Sequence, residues 1–267
     1  MSRMLAVIAA TPATLHDAVS GELLDQCAVL ARVHSDGWGT AWAGSDGSLS
    51  GSRSNNAPAS AGEIAAAGAE TASARLVYLR FASAESGHHI ADVQPFLRGS
   101  VAFCHNGALS PREDVLALLS PVERRELTST TDSEAYFALV KRMLETGAGT
   151  PAENVASAVR LLRQSFPEAC LNAFVLHAGE LFVVQSRGAA PTPIAAFERR
   201  GFTLDTLPPG HDGSYNQISF RTAAGKTIVS TTGVDQAGWH PLAEDTVTHF
   251  RAGWHTTIRL SGAPSEQ

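Results

Sequence analysis

Arg75-Leu76-Val77-Tyr78-Leu79-Arg80-Phe81-Ala82-Ser83, followed further on by Val101-Ala102-Phe103-Cys104-His105-Asn106-Gly107, decides how this chain is read. Leu76 to Leu79 form an apolar run of strand length that ends on an arginine, and Val101 to Phe103 form a second that ends on His-Asn-Gly. Short apolar strands finishing in polar and Gly residues hold reactive groups at a sheet edge. Arg80 offers a planar fork suited to a carboxylate. Asn106 offers a side-chain amide, and Gly107 lets backbone N–H groups come close to a ligand. The same residues also read as a strand-end arginine and an Asn-Gly hairpin turn, so this stretch alone leaves both open.

Around it lie 267 residues, 44% hydrophobic and 17% charged, the composition of a soluble globular protein with a sizeable core. A net charge of −6 leaves no basic footprint for nucleic acid. Cys27, Cys104 and Cys170 are an odd number without motif spacing, so neither a disulfide framework nor a zinc ribbon is implied, and a reducing cytoplasm is the expected location. No apolar run is long enough to cross a bilayer, so no membrane partner is expected. Met1 to Ala10 has one positive charge and no small-x-small exit, and reads as a buried first strand rather than a signal peptide.

In chain order, the first strand, Met4 to Ala10, is stopped by Thr11-Pro12. Glu22 to Arg32 sets Leu23, Leu24, Cys27, Val29 and Leu30 near helical spacing. Trp38 and Trp42 share one face of an extended segment, and Ser45-Asp46-Gly47-Ser48 turns it into a strand near Leu49 to Arg53. Short helices are expected at Glu63 to Ala69 and Pro111 to Leu119, with a loop from Ser86 to Pro95. Asp132 to Glu145 carries one apolar stripe behind an acidic first turn, and Pro151 to Phe166 another with Pro at its start. Leu171 to Leu176 and Leu181 to Gln185 read as a hairpin. Further strands are expected at Ser214 to Phe220, Thr227 to Thr231 and Trp254 to Leu260. The expectation is one α+β domain over residues 1–260 with 261–267 as a tail.

Taken in order, six blocks resemble the class II glutamine amidotransferases of the N-terminal nucleophile hydrolase type, above all their compact free-standing bacterial members. They are Met1-Ser2-Arg3-Met4-Leu5, His34-Ser35-Asp36-Gly37-Trp38-Gly39, Arg80-Phe81-Ala82-Ser83, Pro95-Phe96, His105-Asn106-Gly107 and Thr131-Asp132-Ser133-Glu134. Leu171-Asn172-Ala173-Phe174, and Val229-Ser230 followed by Trp239, resemble later segments of the family. The resemblance implies a four-layer α/β/β/α sandwich in which Met1 is removed and the new first residue attacks a side-chain amide. Its α-amino group is then the base, and with a pKa of about 7.7–8.0 a useful fraction is unprotonated near neutrality. Carried over residue by residue, Ser2 is the nucleophile, Asn106 and the Gly107 N–H hold the oxyanion, and Arg80 with Ser83 binds the α-carboxylate. Asp132 binds the α-ammonium, and Gly37 and Trp38 line the nucleophile side. No cofactor or metal is implied. The partner is a small amide such as glutamine or a γ-glutamyl compound, and a separate synthetase could receive the ammonia.

The sequence departs from the family at the nucleophile, where Ser2 replaces the usual cysteine. A hydroxyl hardly ionises near neutrality and depends on its base far more than a thiol does. Three readings stay open: an amidase using Ser2, a member that has lost catalysis and serves as a ligand-binding or scaffolding protein, and an engineered Cys→Ser exchange. Phe81 stands where the family usually has Trp, Gln94 where a His precedes Pro95, and Ser83 to Gly87 is longer than usual, all pointing to an altered substrate. Cys104-His105 is no nucleophile pair, because neighbours on a strand point to opposite faces. His34, Asp36, His88, His89 and His105 lack recurrent metal-ligand spacing, and Gly37-Trp38-Gly39 leads from no strand into a helix as a dinucleotide loop would.

Overall fold

A computed structural model of the chain describes residues 2–44, 46–82 and 87–260. The expected tail 261–267, Met1, Ser45 and Ser83 to Ser86 lie outside the described residues. Apolar alternation builds two antiparallel sheets. The first contains β1 (Arg3–Ala13), β2 (Trp38–Ala43), β3 (Leu49–Ser54), β4 (Ala72–Leu79), β9 (Ile218–Ala223), β10 (Lys226–Thr231) and β11 (His240–Pro241), in the order β11-β9-β10-β1-β4-β2-β3. The second contains β5 (Phe96–Arg98), β6 (Val101–Asn106), β7 (Asn172–His177), β8 (Glu180–Gln185), β12 (Thr246–Arg251) and β13 (Trp254–Arg259), in the order β13-β12-β8-β7-β6-β5.

Period-two alternation sorts each strand between two cores. On β1, Met4, Ala6 and Ile8 face the second sheet and, with Leu76 of the adjacent β4, meet its Cys104, Phe174 and Val183. Leu5 and Val7 face the other way, onto Leu23, Leu24, Cys27 and Leu30 of α2 (Gly21–Val33) and Ile64 of α3 (Ala61–Ala67). On β6, Val101 and Phe103 face Tyr136, Phe137 and Val140 of α6 (Asp132–Thr146) and Val155 and Val159 of α7 (Pro151–Ser165). The result is an α+β, four-layer α/β/β/α sandwich. Both long helices of the outer layer start where their sequences say. Thr131 caps α6, and α7 opens on a Thr150–Glu153 capping box with Pro151 in its first turn.

Two local expectations are corrected. β1 runs past Thr11-Pro12 to Ala13, because its register with β4 shifts between Ile8 and Ala13 and frees Pro12 from the ladder. Ser214 to Gln217 is a turn rather than strand, since Asp212 Oδ1 accepts from both the Ser214 backbone N–H (2.8 Å) and its hydroxyl (2.6 Å). β12, and the short helices α1 (Leu15–Ala18), α5 (Pro121–Glu126) and α8 (Ile194–Glu198), were not anticipated. α4 (Arg112–Ala117) lies within the expected 111–119 helix. Among the described residues no helix is long and apolar enough to cross a membrane.

Candidate active site

The two sheets bring Ser2 and Asn106 together. The β1–β4 register pairs Arg3 with Leu79 and Met4 with Tyr78, which sets Ser2 beside the end of β4. Asn106 ends β6 on the same inward face as Ala102 and Cys104. The Ser2 backbone N donates to Asn106 Oδ1 at 2.8 Å. Ser2 Oγ lies 2.6 Å from the Tyr78 hydroxyl and accepts the Phe81 N–H at 3.1 Å. Asn106 is fully buried, and its Nδ2 has no hydrogen-bond partner among the described residues. A buried amide donor left idle is costly, so this nitrogen is available to an incoming oxygen.

Gly107 follows, and only glycine fits there, because a β-carbon would run into the Cys170 carbonyl oxygen. That carbonyl accepts from His105 Nε2 at 3.0 Å, so His105 Nδ1, 2.9 Å from Ser133 Oγ, takes the serine proton. Burial pushes the His105 pKa down and keeps the ring neutral. His105 therefore ties the Asn106-Gly107 corner to the start of α6. Asp132, the first residue of that helix, accepts the Leu109 N–H at 2.5 Å.

Arg80 is buried just beyond β4. Its Nη2 donates to the Gly87 carbonyl at 3.0 Å and lies 3.9 Å from Asp92 Oδ2. Its backbone N–H bonds the Gly37 carbonyl at 2.8 Å, and its carbonyl accepts the Asp36 N–H at 3.1 Å. Gly37 has φ +123, a conformation that suits glycine, and there the chain turns into β2. Trp38 packs on the outer α2–α3 core. A cavity of about 300 Å³ is lined by Ser2, Tyr78, Arg80, Asp92, Gln94, Gly107 and Asp132, and walled by Pro193, Ala196, Arg199 and Arg200 around α8. The structure thus gathers Ser2, Arg80, Gly107 and Asp132 around one space, while Asn106 lies outside its lining and joins it through the bond to Ser2 N. Gly37 and Trp38 stand outside its lining, and Ser83 lies outside the described residues.

Sequence reasoning missed Tyr78, Asp92 and the α8 wall. Tyr78 carried a signal, since it sits two residues before Arg80 and shares its face. The wall is held on by Arg200, whose Nη1 reaches Asp36 Oδ2 at 2.7 Å and whose guanidinium lies 3.9 Å over the Phe81 ring. Phe197 meets Phe81 at 4.7 Å, and His34 Nε2 meets His211 Nε2 at 3.1 Å. None of the three thiols replaces Ser2. All are buried, and burial pushes Cys27 and Cys170 up to about 12 and Cys104 well above its ordinary value. Of the histidines and acids weighed as metal ligands, His34 turns to His211, Asp36 to Ala82 N–H and Arg200, and His105 to Ser133. No group of three metal-binding side chains occurs among the described residues.

Solved structures similar to this fold include a glutamine aminotransferase class-II domain protein from Silicibacter pomeroyi. It shares 16% identity over 96% of this chain and 98% of its own, with a TM-score of 0.62. The allosteric regulatory enzyme of purine biosynthesis matches with 15% identity over 97% of this chain and a TM-score of 0.65. The glutamine phosphoribosylpyrophosphate amidotransferase from B. subtilis, complexed with ADP and GMP, matches with 15% identity over 97% and a TM-score of 0.62. This chain spans 49% of the length of each of these two enzymes. At such identities the likeness speaks for the fold. No curated protein matches the chain by sequence. The family profile described as glutamine amidotransferases class-II matches residues 1–266, so the chain belongs to the class II glutamine amidotransferases.

Proposed function

We propose that this chain hydrolyses glutamine or a γ-glutamyl amide through Ser2, once Met1 is removed, with residues 1–260 as one catalytic unit. The observation that carries the reading is the 2.8 Å contact of Ser2 N with Asn106 Oδ1 beside an unpartnered, buried Asn106 Nδ2. Freed of Met1, the Ser2 nitrogen is an amine held next to its own hydroxyl. It takes the Oγ proton as Oγ bonds to the amide carbon, and the carbonyl electron pair moves onto oxygen. Asn106 Nδ2 and the Gly107 N–H receive that oxyanion, each such donor being worth about 2.7–4 kcal/mol. Collapse breaks the C–N bond, and the α-ammonium gives its proton to the leaving ammonia or amine. Water, deprotonated by the same amine, then opens the ester and restores Ser2. Arg80 pairs with the substrate α-carboxylate with Ser83 assisting, Asp132 pairs with the α-ammonium, and Gly37 and Trp38 support the nucleophile side. The freed ammonia goes to water or to a separate synthetase.

Ammonia release from glutamine and a panel of γ-glutamyl amides tests this, using the unmodified protein, Ser2→Ala and Ser2→Cys after intact-mass confirmation that Met1 is gone. Turnover by the unmodified protein and none by Ser2→Ala is the expected result. The serine in the family's cysteine position favours a second reading, a ligand-binding member without turnover. Activity confined to Ser2→Cys would establish that one. Silence from all three proteins would contradict the hydrolase.

A further inference from the structure

The hydroxyl of Tyr78 sits 2.6 Å from the proposed nucleophile oxygen, and its other partner bears on which way its proton points. Gln94 is buried between β6 and Tyr78. The His105 backbone N–H, which can only donate, lies 2.6 Å from Gln94 Oε1. This sets the amide oxygen toward β6 and its NH2 toward Tyr78, where Nε2 lies 3.1 Å from the phenol oxygen. Gln94 therefore donates to Tyr78, and the phenolic proton is free to go to Ser2 Oγ, 2.6 Å away. Phe81 N–H supplies a second donor at 3.1 Å. When Oγ accepts from both, the serine's own proton is the one left to travel to its base.

We infer that Tyr78 is a catalytic residue that donates its O–H to the nucleophile oxygen, with Gln94 as the positioning residue that sets its direction. The inference rests on the reading of Ser2 as nucleophile. As the Oγ proton passes to the α-amine, charge grows on Oγ before the bond to carbon is complete. Tyr78 and Phe81 stabilise that charge, and they do so again when the ester bond breaks. Tyr78 keeps its proton throughout, so nothing enters or leaves the balance of the reaction. Burial pushes the Tyr78 pKa above its ordinary value, which holds the phenol in its donating form. A serine gains more from this than a thiol, because its oxygen ionises far less readily.

The test uses the thiol introduced by Ser2→Cys as a reporter, read from the pH dependence of its alkylation by iodoacetamide, with no substrate needed. The three native thiols are buried with raised pKa values and stay silent. Adding Tyr78→Phe keeps the ring and its packing, and is expected to lower the thiolate fraction at a given pH about tenfold. Gln94→Leu is expected to lower it too, but to add nothing once Tyr78→Phe is present, as befits a residue acting through another. With Ser2 in place, Tyr78→Phe is expected to reduce kcat about ten- to a hundredfold at unchanged KM. An alkylation profile indifferent to Tyr78→Phe would overturn the inference, and additive effects of the two substitutions would overturn the role of Gln94. If the unmodified protein releases no ammonia while the reporter still responds to Tyr78, the hydrolase reading fails and the Tyr78 donor stands.

Discussion

Arg80, the proposed partner of the substrate carboxylate, is held in place by its own neighbours. Its guanidinium is buried, steered by the Gly87 carbonyl at 3.0 Å and the Asp92 carboxylate at 3.9 Å, and Asp92 is in turn held by the Thr130 N–H at 2.9 Å. A planar fork fixed in this way loses little freedom on meeting a carboxylate. Arg80→Ala is expected to weaken binding of glutamine or a γ-glutamyl amide by about 1.5–3 kcal/mol, roughly ten- to a hundredfold. Arg80→Lys, which keeps the charge but loses the fork, should recover only part of that. Calorimetric titration reads both, and equal affinity in Arg80→Ala and the unmodified protein would remove Arg80 from the carboxylate site. At this scale the sequence was informative where a polar residue ended an apolar run, as at Arg80 and Asn106. At Tyr78 the signal, two residues before Arg80 on the same face, was easily overlooked, because Tyr78 sits inside such a run and looks like packing until a partner comes into view.

Among elements, legibility followed length and capping. α6 and α7 were readable to within a residue or so because fifteen residues each of one-sided apolar spacing are framed by Thr131, and by Thr150 with Pro151. α8 has five residues and no period, and its place is fixed only by distant partners. Phe197 is fully buried against Phe81, His34, His211 and Tyr215. Phe197→Ala is expected to cost about 3–5 kcal/mol locally and to release the α8 wall of the cavity. The check is limited proteolysis, with faster cutting between residues 191 and 210 and a raised KM expected. Unchanged cutting and an unchanged Tm would show that α8 is held by something else. The same region explains the misread strand at Ser214, where a side-chain turn at Asp212 prevails over β propensity.

Across the whole molecule, the buried His34–His211 pair links the loop before β2 to the segment after α8 and makes stability depend on pH. His211 Nδ1 donates to the Pro208 carbonyl at 2.9 Å, so its Nε2 accepts from His34, and the bond needs the His211 ring neutral. Burial first, then the Arg3 charge, pushes the His211 pKa down to about 4, and His34 is lowered well below its ordinary value by the same causes. An unfolded histidine takes its proton near 6.5. Between those values the unfolded chain binds more protons, so stability is fully present above about pH 7 and falls as pH drops toward about 4. The loss is on the order of 3 kcal/mol for His211 alone. Denaturant midpoints between pH 7.5 and 4.5 measure it. The difference between the unmodified protein and His211→Gln should shrink as pH falls, and a constant difference would contradict the neutral pair. Sheet order, unlike most of the strands themselves, was beyond the sequence. β1 pairs with β4 and β10, contacts set by packing of faces that many strands share.

That pairing of β1, with β6 facing it from the second sheet, puts the Ser2 nitrogen on Asn106, and the proposed chemistry requires this nitrogen to be an amine. The direct measurement is ammonia release from a γ-glutamyl amide by two preparations of the same chain. One begins at Ser2 after removal of Met1, and the other carries an N-terminal extension that keeps the Ser2 nitrogen as an amide. Turnover by the first and none by the second is the expected result, and equal turnover by both would contradict the N-terminal nucleophile mechanism.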